Sequence, residues 1–372
     1  MTNSTPKDDS VSPNGDKLFD LLDGATGEIF ETPDTYELQK KISGNKDYSI
    51  EERLEAYEDA IDSEVGDTTL IRARNIEREV GIRQIFLKFE GGNPTGTQKD
   101  RIAFIQSMDA LRRGFETITV ATCGNYGVAL ALAASIAGLR CLIYIPEGYH
   151  TLRIKEMISL GAEIVRTPGD YENAVRISGE HAQKEDYYDA NPGGVNTSLQ
   201  LRAYGQIADE LYDELRDAPL VVAVPVSNGT TLAGIYRGFL SLYRRGKTSR
   251  MPKIVGGSSF RKNPIVQAYL KNMSTCEDLQ PEKIRETHIN EPLVNWHAMD
   301  GDYALEAIRQ TGGWAADASD KSMRDFSRMI REKEGLQVLP ASTAGLIALL
   351  ERHRKEALPN DRFAVVLTGR KS

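Results

Sequence analysis

The chain has 372 residues, 40% hydrophobic and 27% charged, which is the range of a water-soluble globular protein long enough for two domains. Its net charge of -8 is spread along the sequence, and the densest basic spot, Arg244-Arg245 with Lys247, is too small to hold a phosphate backbone, so a nucleic-acid partner is not expected. Three cysteines without CxxC spacing argue against a zinc ribbon or a disulfide framework, and the most apolar stretch, residues 128–139, is too short to span a bilayer.

In chain order, residues 1–16 have almost nothing to bury and read as a flexible tail without the apolar core of a secretory signal, which predicts a cytoplasmic protein with no membrane partner. SIEERLEAYEDA (49–60) opens on a serine with glutamate at close spacing and predicts a helix. QIFLKFE (84–90) reads as a strand and DRIAFIQSMDALRRG (100–114) as a helix ended by Gly114. TITVAT (117–122), a strand, precedes the helix YGVALALAASIAG, and CLIYIP (141–146), another strand, precedes the helix TLRIKEMISLGA and the strand EIVRTP. The rhythm returns with QLRAYGQIADELYDEL as helix, LVVAVPV (220–226) as strand, TLAGIYRGFLSLYRRG as helix and KIVGGSS (253–259) as strand. Alternating strands and helices, with strands apolar almost throughout, predict an α/β fold whose parallel sheets are covered on both faces. Such folds bind ligands where a strand turns into a helix. That rule selects three loops: GGNPTGTQKDR, ATCGNYG and PVSNGTTLAG.

In the first loop, glycines and a proline lead to Lys99 at the first turn of a helix. The positive end of the helix dipole disfavours a cation there, which lowers the cost of the neutral amine that a Schiff base to an aldehyde requires. Alone, such a lysine is usually just an exposed loop residue. In the third loop Ser227, Asn228, Gly229, Thr230 and Thr231 point backbone amides and hydroxyls at one spot where the dipole favours an anion. With no Walker lysine and no GxGxxG, a small phosphate group suits it better than a nucleotide. In the second loop Thr122 and Asn125 can donate to a carboxylate or phenolate, though simple helix capping explains them equally. The five histidines follow no metal spacing, and no metal is expected.

Taken in order, these motifs resemble the fold-type II pyridoxal-phosphate (PLP) enzymes, the family of tryptophan synthase β, cysteine synthase, serine/threonine dehydratases and threonine synthase. The resemblance runs from GDTTLIRA (66–73) to the last residues, about four-fifths of the chain. It implies two three-layer parallel-sheet domains with PLP in the cleft between them: residues 17–99 and 200–372 as the large domain, and 100–199 as a smaller mobile one. NPTGTQKDR matches the family's lysine motif through Lys99, which would carry the cofactor and move the substrate Cα proton. CGNYG matches its SGNxG motif, so that Asn125 would steer the ring oxygen and Thr122, Cys123 and Tyr126, with Gln98 beside the lysine, would contact the substrate. SNGTTLAG resembles the phosphate cup, which assigns Ser227, Asn228, Gly229, Thr230 and Thr231 to the PLP phosphate. VLTGRKS resembles the threonine synthase ending, in which the hydroxyl of Thr368 would meet the pyridine nitrogen. A neutral hydroxyl makes a mild electron sink, suited to elimination and replacement at Cβ.

The run NEPLVNWHAMDGDYALEAIRQTGGW with EGLQVLPASTAG is also similar to threonine synthase, implying a lyase of amino-acid biosynthesis, typically a homodimer, that converts O-phosphohomoserine and water to threonine and phosphate. Four departures keep other PLP eliminations and replacements open, such as serine/threonine dehydration or cysteine- and cysteate-synthase-like chemistry. Gln98 stands where threonine synthases usually have Phe, Cys123 replaces Ser, and Thr69 replaces Pro. The arginine of an NPxRxExxK-like stretch is not in its place either, with Arg202 the nearest substitute.

Overall fold

The computed structural model describes residues 35–122, 124–149, 151 and 153–371. The predicted tail and Cys123 lie outside them. The strands are β1 (Leu70–Arg72), β2 (Ile85–Phe89), β3 (Thr117–Ala121), β4 (Arg140–Pro146), β5 (Glu163–Thr167), β6 (Tyr188–Asp189), β7 (Val221–Pro225), β8 (Lys253–Ser259), β9 (Ala315–Ala318) and β10 (Phe363–Leu367). They form two sheets. A six-stranded sheet runs β1-β2-β10-β7-β8-β9, and a four-stranded sheet runs β5-β4-β3-β6. Every pairing is parallel except β1 with β2. The fold is thus the expected α/β class, with one antiparallel edge strand that the apolar runs did not announce.

Local chemistry explains where the helices begin and end. Ser49 and Glu52 close a reciprocal capping box on the helix Ile50–Glu64, satisfying two orphan amides. Gly138 ends the helix Asn125–Ala137 in the left-handed region, where a Cβ is disfavoured. The sheets are buried on both faces, as continuous apolar strands require. Along β10, Ala364 and Val366 join the core shared with the helix Thr230–Arg244, while Phe363, Val365 and Leu367 pack with Leu346 and Leu349 of the helix Ala344–Lys355. In the smaller sheet Leu142 and Tyr144 meet Ala174 of the helix Tyr171–Glu185, a helix the sequence reading passed over.

The helices Thr197–Leu215 and Thr230–Arg244 approach through glycines. A Cβ on Gly238 would lie 2.5 Å from the Gly205 carbonyl oxygen and 2.7 Å from Ala208 Cβ. Overpacking of this kind costs about 1–3 kcal/mol. Gly238→Ala is therefore expected to lower the urea midpoint of unfolding without changing the slope of the transition, and an unchanged midpoint would refute the close approach.

Candidate functional site

The three loops converge. Lys99 is the first residue of the helix Lys99–Arg112, and the turn before it is held by Asp100, which accepts the Thr95 N–H (2.9 Å) and hydroxyl (2.8 Å). Burial pushes the Asp100 carboxyl up to about 6 against those donors. Gln98 donates its N–H to the Thr368 carbonyl at 3.0 Å, which ties the lysine turn to the end of β10. The Thr368 hydroxyl lies 3.1 Å from that of Ser342.

The Lys99 amine sits over two buried rings, 5.6 Å from the centroid of Tyr126 and 6.0 Å from that of Tyr204. Loss of water lowers its pKa to about 8, with Asp300 pulling the other way. No carboxylate lies within ion-pair distance of it among the described residues. Poised near neutrality, the amine can serve as nucleophile or base.

Ser227 to Thr231 lead into the helix Thr230–Arg244. Gly229 has φ +96°, and a Cβ there would fall 2.8 Å from the Asp300 carbonyl and 2.9 Å from Ala304 Cβ, so only glycine shapes this turn. Among the described residues no protein acceptor takes the N–H groups of Gly229, Thr230 or Thr231. Orphan amides at the head of a 15-residue helix form an anion seat. Asn263 Nδ2 donates to the Ser227 carbonyl (2.9 Å), Asn295 Nδ2 donates to Asn228 Oδ1 (3.1 Å), and the Thr230 hydroxyl donates to Asp300. Gln98, Lys99, Asn125, residues 227–231 and Thr368 line one hollow. Amine, anion seat and hydroxyl therefore face a common space, and they fit PLP: Lys99 for its aldehyde, 227–231 for its phosphate, Thr368 for a ring nitrogen.

Beside this hollow, a larger cavity of about 580 Å³ opens between the loops of the two sheets. Thr122, Asn125 and Tyr126 line it. The Tyr126 hydroxyl, however, is committed to the fold: it donates to the Ala190 carbonyl at 2.8 Å and accepts from Gln106. The cavity also holds residues that the sequence reading missed. Arg153 donates to Asn125 Oδ1 and is paired with Glu156 at 2.9 Å, whereas Arg202 lies exposed on its helix. Trp296 lines the cavity, donating Nε1–H to Asp170 at 3.0 Å, while Trp314 is buried in the core. Asp170, Glu172, Glu286 and Glu291 complete the charged wall. Glu172 stands in the first turn of the helix Tyr171–Glu185 and Arg153 just before the helix Ile154–Ser159, while Glu291 and Trp296 fall in the run NEPLVNW; none of these local patterns shows that the side chain faces a cavity.

Comparison with known proteins agrees with this geometry. Residues 61–369 match the pyridoxal-phosphate dependent enzyme family. The threonine synthase of Methanocaldococcus jannaschii is 30% identical over 305 residues, covering 82% of this chain and 74% of that one. A Bacillus threonine synthase is 30% identical over 309 residues, covering 82% of each. Among solved structures, a threonine deaminase from T.th. superposes with a TM-score of 0.70 at 20% identity, over 86% of this chain and 97% of that one. Maize serine racemase does so with a TM-score of 0.69 at 18% identity, over 86% and 94%. At these identities the two structures speak for the fold alone.

Proposed function

The chain belongs to the pyridoxal-phosphate dependent enzyme family, and on that premise we propose that it is threonine synthase-like, converting O-phosphohomoserine and water to threonine and phosphate. The observation that carries the reading is the Lys99 amine, held near neutrality between the orphan amides of 229–231 and the Thr368 hydroxyl. The two threonine synthase relatives support the choice of substrate. PLP, when bound, supplies an aldehyde for amines and a ring that withdraws electrons from the bonds at Cα.

The protein's own residues do the rest. The amides of 229–231, with the Ser227 and Thr231 hydroxyls, would hold the phosphate, and Gly229 lets the backbone come close. Asn125, which accepts from Arg153, would steer the cofactor ring, and the start of the helix Asn125–Ala137 with Thr122 would receive the substrate carboxylate. Lys99 takes the proton from Cα and returns one to it. Thr368, a neutral hydroxyl hydrogen-bonded to Ser342, leaves the ring nitrogen without the countercharge that a carboxylate would give.

A second reading is favoured by the cavity wall. Four carboxylates (Asp170, Glu172, Glu286, Glu291) face Arg153 and Arg285, a poor setting for a phosphorylated side chain. It is dehydration of serine or threonine, or replacement at Cβ of a serine derivative. Protein loaded with PLP is expected to release phosphate from O-phosphohomoserine and form threonine. Absence of phosphate release, with oxoacid formed from serine or threonine, would replace the first reading by the second.

A further inference from the structure

The cavity contains a carboxyl group, that of Glu291, that forms no ion pair among the described residues. Glu291 begins a short turn, Glu291–Leu293, that is fixed from the side of the larger sheet. Its N–H donates to the Thr287 carbonyl at 2.9 Å, Asn290 Nδ2 donates to Asp320 at 2.8 Å, and the Leu293 carbonyl accepts the Ser258 hydroxyl at 3.3 Å. From there the carboxyl reaches across the cleft to loops of the smaller sheet. Glu291 Oε1 accepts the Tyr149 hydroxyl at 2.7 Å and stands 3.9 Å from where a Cβ on Gly124 would be, over the turn proposed to receive the substrate. Burial raises its pKa and the Glu286 carboxylate adds to this, while the Tyr149 hydroxyl works against both. Oε1 is held by one donor, and no hydrogen bond to Oε2 is formed among the described residues.

We propose that Glu291 is a further catalytic residue, the acid–base group for the oxygen that joins or leaves Cβ of the substrate. This rests on the reading that Lys99 serves elimination or hydration of a small amino acid. When water adds, its oxygen lone pair forms the Cβ–O bond and its proton passes to the Glu291 carboxylate. The π pair of the Cα–Cβ double bond ends as the Cα–H bond, with its proton from the Lys99 ammonium. Dehydration is the reverse: Lys99 takes the Cα proton, the Cα–H pair becomes the π bond, and the Cβ–O pair leaves with the Glu291 proton as water. One carboxyl therefore serves both threonine formation and threonine dehydration, as microscopic reversibility demands.

Glu291→Gln keeps an acceptor for Tyr149 but cannot exchange a proton. With PLP-loaded protein, threonine formation from O-phosphohomoserine, or oxoacid formation from threonine, is expected to fall by about 100- to 10,000-fold. The first-turnover burst of phosphate, the exchange of the threonine Cα hydrogen with deuterated solvent and the absorbance change on titrating L-threonine should stay close to those of the wild type, while steady-state phosphate release falls together with threonine formation. An equal loss of Cα exchange and of Cβ chemistry would mean a merely structural role, and undiminished Cβ chemistry would overturn the proposal. Wild-type protein that neither exchanges the Cα hydrogen nor releases phosphate would instead sink the reading on which the proposal rests.

Discussion

Lys99→Ala is expected to lower turnover of the substrate amino acid by about 100- to 10,000-fold, the range typical of losing a positioned proton-transfer group. Far-ultraviolet circular dichroism and the unfolding midpoint should change little, because the lost side chain carries a desolvation cost that offsets its packing. The amine is placed for covalent capture of an aldehyde. With a pKa of about 8 it offers, at pH 7, roughly two-hundredfold more neutral amine than an ordinary exposed lysine. The sign of the pH dependence follows. A lysine whose pKa is lowered by loss of water becomes neutral as pH rises through that lowered value, so PLP uptake by cofactor-free protein should accelerate from pH 6.5 to 8.5 and then level off. Borohydride reduction of the loaded protein followed by peptide mapping should place the pyridoxyl group on Lys99. A wild-type absorbance spectrum and full activity in Lys99→Ala would refute the assignment.

Features of this site that were legible in the sequence are those encoded over short distances. Gly229 with its left-handed backbone, Lys99 at a helix start and Gly138 at a helix end each follow from turn and cap chemistry within a few residues. The strands Thr117–Ala121 and Val221–Pro225 announce themselves because burial on both faces selects apolar and β-branched residues and excludes charged ones. By contrast, neither the helical pattern that begins at Arg153 nor the loop run that holds Glu291 and Trp296 shows which side chains face the cavity, and only the arrangement of two sheets brings them to Asn125 and Gly124. Arg101 teaches the same lesson from the other side. As a neighbour of Asp100 it reads as a local pair or cap, yet its partners are Glu90 and Glu210, the latter 109 positions away.

That arginine carries the other large effect. Arg101 donates Nε–H to Glu90 at 2.6 Å and a second N–H to the other Glu90 oxygen at 2.9 Å, while its remaining donors reach both Glu210 oxygens at 2.6 and 2.9 Å. Lys88 pairs with Glu210, and Thr68 and Asn93 donate to Glu90. Two cations and two carboxylates thus balance in the interior, and the guanidinium fork suits two bidentate partners. Their joint effect is to fasten the helix that begins with Lys99 to the end of β2 and to the helix Thr197–Leu215. Removing only the arginine leaves Glu90 buried and uncompensated, so Arg101→Met is expected to destabilise the protein by about 3–5 kcal/mol. Arg101→Met combined with Glu90→Met removes one charge of each sign and leaves Lys88 with Glu210. The double variant should therefore recover most of the loss, since a buried pair and a well-packed apolar replacement differ little in net stability. Urea unfolding of the two single variants and the double variant measures the coupling. If the losses simply add, the four groups do not act as one charge-balanced unit. If stability returns but PLP uptake stays slow in the double variant, the network serves chiefly to aim Lys99.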